Sequence, residues 1–154
     1  MRLHLENRWF TVYAGFNRIE YVEGYNSLLE DGNHFLMWDF DDTPYEEVKL
    51  ALLDVQDLFD LPTIILLKSG AKDCWHANCF WRVPWELARI ILASTRGIDR
   101  KYLSIAILRE FCTLRYSEAG GREVVAYEYL DSPIASNCSV HDIVSFAHYP
   151  KKRR

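Results

Sequence analysis

The stretch LMWDFDD at residues 36–42 decides how this chain of 154 residues is interpreted. It begins with apolar residues and ends in carboxylates, which is typical of a buried strand that delivers polar groups to its end. Side chains two positions apart in a strand point to the same face, so Asp39 and Asp41 can place their oxygens on one hard cation. The alternative is a solvated strand end that binds no metal.

The pattern around this stretch alternates strands and helices. Apolar runs predict strands over residues 9–13, 34–40, 63–67 and 74–81. Thr43 as N-cap and Pro44 at the first helical position predict a helix to about residue 59. Pro84 and Gly97 bracket a second helix.

The last third of the chain gives three more signals. Residues 100–110 fit either a helix or a strand, and residues 113–129 predict a β-hairpin that turns at the glycines of residues 119–121. Ser139 predicts the start of a short helix over residues 139–148. Together the elements predict an α+β domain in which a mixed sheet is flanked by helices.

Length and composition predict one domain over residues 1–150, followed by a basic tail at 151–154. The formal charge of −4 excludes a protein that coats nucleic acid through a broadly basic face, although the tail can either hold phosphates or remain solvated. No segment approaches the roughly 20 apolar residues of a membrane span. The absence of a signal-peptide pattern and of any Cys-x-x-Cys pair leads us to expect a cytoplasmic protein with no membrane partner.

The segment between the third and fourth predicted strands carries groups that bind phosphate. Ser69, Gly70 and Lys72 place a hydroxyl, a flexible backbone and a cation on one loop. The following strand carries His76, whose imidazole can contact a phosphate. A plain turn followed by a packed histidine is the alternative interpretation.

The order of these pieces resembles the archaeo-eukaryotic primase superfamily, which includes primases and primase-polymerases. Residues 36–41 match its first motif, apolar residues followed by Asp-x-Asp, and CWH at 74–76 matches its second. The loop SGAK at 69–72 stands where many members have Ser-Gly-Ser-Lys. Ile98-Asp99 matches the third motif, and TLRYS at 113–117 resembles the strand of a phosphate-binding arginine. The resemblance covers roughly residues 33–130 and implies an RRM-like catalytic core.

The resemblance implies a template-dependent nucleotidyltransferase with two divalent ions, Mg²⁺ or Mn²⁺. It assigns catalysis and metal binding to Asp39, Asp41 and Asp99 and nucleotide binding to the following residues: Ser69, Lys72, His76 and Arg115. The implied partners are nucleoside triphosphates, single-stranded or primer-template nucleic acid, and replication proteins.

Two other classes of function stay open. The same carboxylates can serve a metal-dependent nuclease or replication initiator, although the His-x-His pair of rolling-circle initiators is absent because Ala77 and Asn78 follow His76. A primase-like fold without catalytic activity that binds nucleic acid or a protein is the second.

Overall fold

The computed structural model describes residues 2–7, 10–15, 21–70, 72–118 and 123–150, the first two segments as backbone. The tail predicted at 151–154 and the glycine turn predicted at 119–121 lie outside the described residues. The strands are β1 (Arg2–Asn7), β2 (Phe10–Gly15), β3 (Tyr21–Asn26), β4 (His34–Phe40), β5 (Ile64–Lys68), β6 (Trp75–Val83), β7 (Thr113–Arg115), β8 (Val125–Leu130) and β9 (Phe146–Pro150). The helices are α1 (Tyr45–Leu58), α2 (Trp85–Ser94) and α3 (Arg100–Arg109), with a 3₁₀ turn at Val140–Asp142.

The strands form antiparallel sheets. The largest has the order β4-β6-β5-β8, a second has the order β7-β3-β9, and β1 pairs with β2. The fold is therefore α+β, as the sequence predicts. Neighbouring strands are antiparallel throughout the paired segments, however, so the prediction of a mixed sheet was wrong.

The position of β6 explains this difference. Helix α1 connects β4 to β5, and both strands pair antiparallel to β6, so β4 and β5 run in the same direction without touching. A short loop joins β5 to β6, and short loops favour antiparallel neighbours. Strand β6 therefore lies between the two strands that the helical connection would otherwise place side by side, which is a split β-α-β arrangement.

Two local predictions in the last third of the chain were wrong. Strand β7 pairs with β3 and strand β8 pairs with β5, so residues 113–129 form no hairpin with each other. The helix predicted over residues 139–148 is only a 3₁₀ turn capped by Ser139, and its second half is β9, which pairs with β3. In each case the segment pairs with the open edge of a strand that is distant in sequence. This pairing replaces the structure that the local pattern predicts.

The four strands and two helices predicted from the apolar pattern coincide with described elements within two residues at each end. The residues left ambiguous at 100–110 form α3. One detail was wrong: Pro44 stands at the N-cap of α1, and the Thr43 hydroxyl donates to the Asp41 carbonyl at 3.0 Å instead of capping the helix.

Strand β4 lies at the centre of the core. Its residues are buried except for Asp39, which is partly exposed. Trp38 is fully buried, and its indole N–H donates to the Thr95 hydroxyl at 2.9 Å, just beyond α2. That hydroxyl donates in turn to the Ile91 carbonyl, so both polar groups are satisfied inside the core. In the described part of the chain, no helix is long and apolar enough to cross a membrane.

Replacing Thr95 with valine keeps the shape of the side chain but removes the acceptor for the Trp38 N–H. An unsatisfied buried donor costs about 1–3 kcal/mol, so we expect Thr95→Val to lower the free energy of unfolding, measured by urea titration, within that range. Thr95→Ser is the control because it keeps the hydroxyl, and we expect it to cost less. If the serine variant is the less stable of the two, this hydrogen bond does not hold β4 against α2.

Candidate active site

Asp39 and Asp41 line one cavity of about 800 Å³ at the end of β4. The Asp39 side chain is 24% exposed, and Asp41 follows the strand in an exposed bend. The bend is sharp, because Asp42 adopts a φ of 52° and the Thr43 N–H donates to the Asp73 carbonyl at 3.0 Å. Asp39 therefore lies in the strand and Asp41 in the bend just beyond it, and both residues line the same cavity.

Asp99 joins them from a distant part of the sequence. Its backbone N–H donates to the Asp39 carbonyl at 2.8 Å, and its carboxylate lines the same cavity. The Asp99 side chain also caps α3, since Oδ1 accepts from the Tyr102 N–H at 2.5 Å. Tyr102 strengthens the attachment, because its hydroxyl donates to the Met37 carbonyl at 2.9 Å. The structure thus brings together the three aspartates that the sequence singles out.

His76 lies beside Asp39 on the neighbouring strand. The two residues are direct cross-strand partners, and His76 Nε2 is 3.5 Å from Asp39 Oδ1. Burial, with a smaller effect of Arg115, lowers the pKa of His76 to about 3, so the imidazole is neutral at physiological pH. Its buried Nδ1 has no hydrogen-bond partner among the described residues. This contact results from the antiparallel pairing of β4 and β6.

The carboxylates repel one another. Burial first, and then the charges of Asp41 and Asp99, raise the pKa of Asp39 to about 7. Arg115 opposes this only weakly. The trio therefore concentrates negative charge that a bound cation would offset.

The residues predicted to bind the nucleotide are more dispersed. The Arg115 guanidinium donates to the backbone carbonyls of Ser69 and Ser117. Ser69 is buried, and Lys72 is 93% exposed, with its ammonium 4.0 Å from Asp73. None of the four predicted nucleotide-binding residues is among those that line the cavity.

The cavity instead has basic groups that the sequence did not single out: Lys101, Arg109 and His148. The first two lie on α3 and the third lies on β9. A helix over residues 100–110 places Lys101 and Arg109 on one face, but no local signal connects that face with the aspartates. His148 was missed because its segment was predicted to be a helix.

The donor atoms of the aspartate trio fit a hard divalent cation, because all are carboxylate oxygens. Burial raises the pKa of Asp39, and a cation beside the carboxylate would favour its ionised form. In the described part of the chain, no three His, Cys, Asp or Glu side chains are arranged to hold a metal ion, so the carboxylates share the cavity without forming a ready ligand group.

Comparisons with protein-family models, curated proteins and solved structures found no match to this chain. A functional assignment depends on the chain's own residues.

The pKa of Asp39 makes stability depend on pH. A carboxyl whose pKa is raised by folding ionises more readily in the unfolded chain, so its ionisation destabilises the fold as pH rises from about 4 to about 7. We expect Asp39→Asn to remove this loss. In chelator at pH 8 its melting temperature should exceed that of the wild type by at least about 2–4 °C, which corresponds to about 1 kcal/mol, and the gain should vanish near pH 4.

Asp54→Asn is the matched control, because Asp54 is an exposed carboxylate paired with Arg96 at 2.6 Å. It should give no gain at pH 8. An Asp39→Asn protein with the same melting temperature as the wild type at both pH values would show that the trio is not under electrostatic strain.

Proposed function

We propose that this protein is a template-dependent nucleotidyltransferase of the primase or primase-polymerase type. The observation that carries the proposal is the meeting of Asp39, Asp41 and Asp99 in one cavity. Asp99 is remote in sequence from the other two, so only the fold can bring the trio together. A carboxyl group with a raised pKa, such as Asp39, that shares a cavity with other carboxylates is typical of functional sites.

The chain topology supports the proposal. The order β4-α1-β5-β6-α2, with β6 between β4 and β5, is compatible with the RRM-like core that the resemblance implies. The first motif then ends β4, and the histidine of the second lies opposite it on β6. The third motif follows α2, and the backbone N–H of its Asp99 donates a hydrogen bond to the Asp39 carbonyl of β4.

In this proposal the aspartate trio holds two divalent ions, Mg²⁺ or Mn²⁺. When bound, such ions neutralise a nucleoside triphosphate and activate a 3′-hydroxyl for in-line phosphoryl transfer. Asp39 and Asp41 supply anionic oxygens from the end of a buried strand, which limits their movement. Asp99 supplies a third carboxylate. The hydrogen bond from its backbone N–H to the Asp39 carbonyl fixes the position from which the Asp99 side chain extends.

The neutral His76 leaves the charge of Asp39 available to a cation, because it forms no full ion pair with it. Its buried Nδ1 has no hydrogen-bond partner among the described residues, and an internal water can satisfy it. Lys72 and Arg115 would hold triphosphate oxygens together with Ser69. For Lys72 this requires the side chain to swing from solvent, which its exposure permits.

The proposed partners are nucleoside triphosphates and single-stranded or primer-template nucleic acid, with replication proteins as further partners in the cytoplasm. Two observations favour a second candidate, a primase-like fold that binds nucleic acid without catalysis. Asp99 already serves as the N-cap of α3, and no ready metal-ligand group is found in the described residues.

Replacing either strand aspartate should abolish nucleotide incorporation without unfolding the domain. Loss of one preorganised electrostatic contact costs at least about 100-fold in rate, so we expect Asp39→Ala and Asp41→Ala each to lose that much in primer extension with Mn²⁺. Thermal unfolding in chelator should show equal or higher stability, since the repulsion within the trio falls.

Asp54→Ala, which removes an exposed carboxylate outside the cavity, is the control and should keep full activity. Wild-type protein that neither starts nor extends a strand with any nucleotide or metal would favour the binding fold, whereas metal-dependent strand cleavage would favour a nuclease. Full activity in both alanine variants would show that these aspartates are not the site.

A further inference from the structure

One side of α3 carries two cations into the cavity. Lys101, Ile105 and Arg109 occur at every fourth position, so they form one stripe along the helix, and all three are exposed and line the cavity. With a rise of 1.5 Å per residue, the two charged side chains start about 12 Å apart along the helix axis. Arg100, the neighbour of Lys101 in sequence, is exposed but is not among the cavity-lining residues.

A stacked pair of rings lies at the same cavity. His148 lines the cavity, and its imidazole stacks on the ring of Tyr21, which is not itself a lining residue, with centroids 4.5 Å apart and planes 11° apart. Tyr21 is 52% exposed and the His148 side chain 58% exposed, so the pair is accessible from solvent. Exposed aromatic rings are the groups on which single-stranded nucleic acids stack their bases. The Glu23 carboxylate lies 3.9 Å from His148 Nδ1, so a base would stack on the outer face of the pair.

We propose that this surface binds a single strand of nucleic acid, with Lys101 and Arg109 on its phosphates and an unpaired base on the Tyr21–His148 pair. The inference rests on the proposed function and identifies the surface for the strand rather than for the nucleoside triphosphate. It differs from the resemblance, which assigns phosphate binding to the loop after β5 and to β7.

The spacing of the cations favours a strand as the ligand. A nucleic-acid strand carries a phosphate at every nucleotide, so its backbone can place separate phosphates on two cations whose side chains start about 12 Å apart. A triphosphate group is shorter than this, so it contacts both cations only if the two long side chains bend toward each other. The stacked rings add a requirement for an unpaired base, which a closed duplex does not offer. The negative charge of the aspartate trio in the same cavity repels phosphates. The phosphates of a strand therefore bind at the cationic stripe.

The test measures binding without catalysis. Fluorescence anisotropy follows a fluorescein-labelled 12-nucleotide oligothymidylate titrated with the full chain in EDTA, without nucleotide. We expect Lys101→Gln/Arg109→Gln to weaken binding by about tenfold for each cation lost. The slope of log K against log salt should become less steep by about 0.7 for each cation. Tyr21→Ala should weaken binding about tenfold while leaving that slope unchanged.

The matched control is Arg96→Gln/Arg100→Gln, which removes the same charge from exposed positions outside the cavity lining. It should bind within about twofold of the wild type, since it removes only long-range attraction that salt screens. Equal losses in the two double variants would overturn the proposal, as would wild-type protein that does not bind the oligonucleotide. It would also be overturned if Lys101→Gln/Arg109→Gln lost ATP binding but kept the oligonucleotide.

The binding test is run in EDTA and without nucleotide, so its outcome does not depend on whether the protein incorporates nucleotides. Selective loss of strand binding in Lys101→Gln/Arg109→Gln supports the binding surface even if the wild type incorporates no nucleotide. A wild type that incorporates nucleotides, together with a double variant that binds and extends as well as it does, would overturn the binding surface and leave the proposed activity intact.

Discussion

The candidate site depends on how the free edge of β4 is closed. This strand pairs with β6 on one side, and the carbonyls of Met37 and Asp39 point away from that partner. Buried backbone carbonyls need donors, and here the Tyr102 hydroxyl and the Asp99 N–H supply them. The first turn of α3 is therefore bonded to β4 at two points. The third carboxylate reaches the other two as a direct consequence.

The same attachment carries an electrostatic cost. It sets Asp99 near two further carboxylates, and its charge adds to the effects of burial and of Asp41, which together raise the pKa of Asp39 to about 7. A fold selected for stability alone would gain by removing this charge. Packing around β4 offsets this cost. The other residues of the strand are buried, and Trp38 is fixed by a hydrogen bond to Thr95. Local strain that is supported by a rigid core is typical of functional sites.

The sequence predicted the elements that depend on local patterns. Apolar runs and proline positions located β4, α1, β5, β6 and α2, because burial and helix starts leave signals within a few residues. Strand partners left no such signal. The glycine-rich segment suggested a hairpin, yet β7 and β8 pair with β3 and β5, since pairing depends on which edges the rest of the fold leaves open. Strand β9 was missed for the same reason.

The residues of the candidate site fall into the same two groups, those with a local signal in the sequence and those without one. Asp39 and Asp41 followed from the two-residue period of a strand, and Asp99 followed only from the resemblance. Lys101, Arg109 and His148 were missed, because no signal in the chain shows that α3 and β9 border the cavity at the end of β4.

Helix α3 links the two halves of the proposed chemistry. Asp99 caps its first turn, while Lys101 and Arg109 follow along one stripe of the same ten-residue helix. A short helix is a stiff spacer, so the separation between the proposed metal-binding end and the proposed strand-binding stripe is fixed by helix geometry rather than by loops. The bonds from Asp99 and Tyr102 to β4 then fix that spacer relative to Asp39. A movement of α3 would displace carboxylate and cations together, so strand position and metal position are coupled through one element.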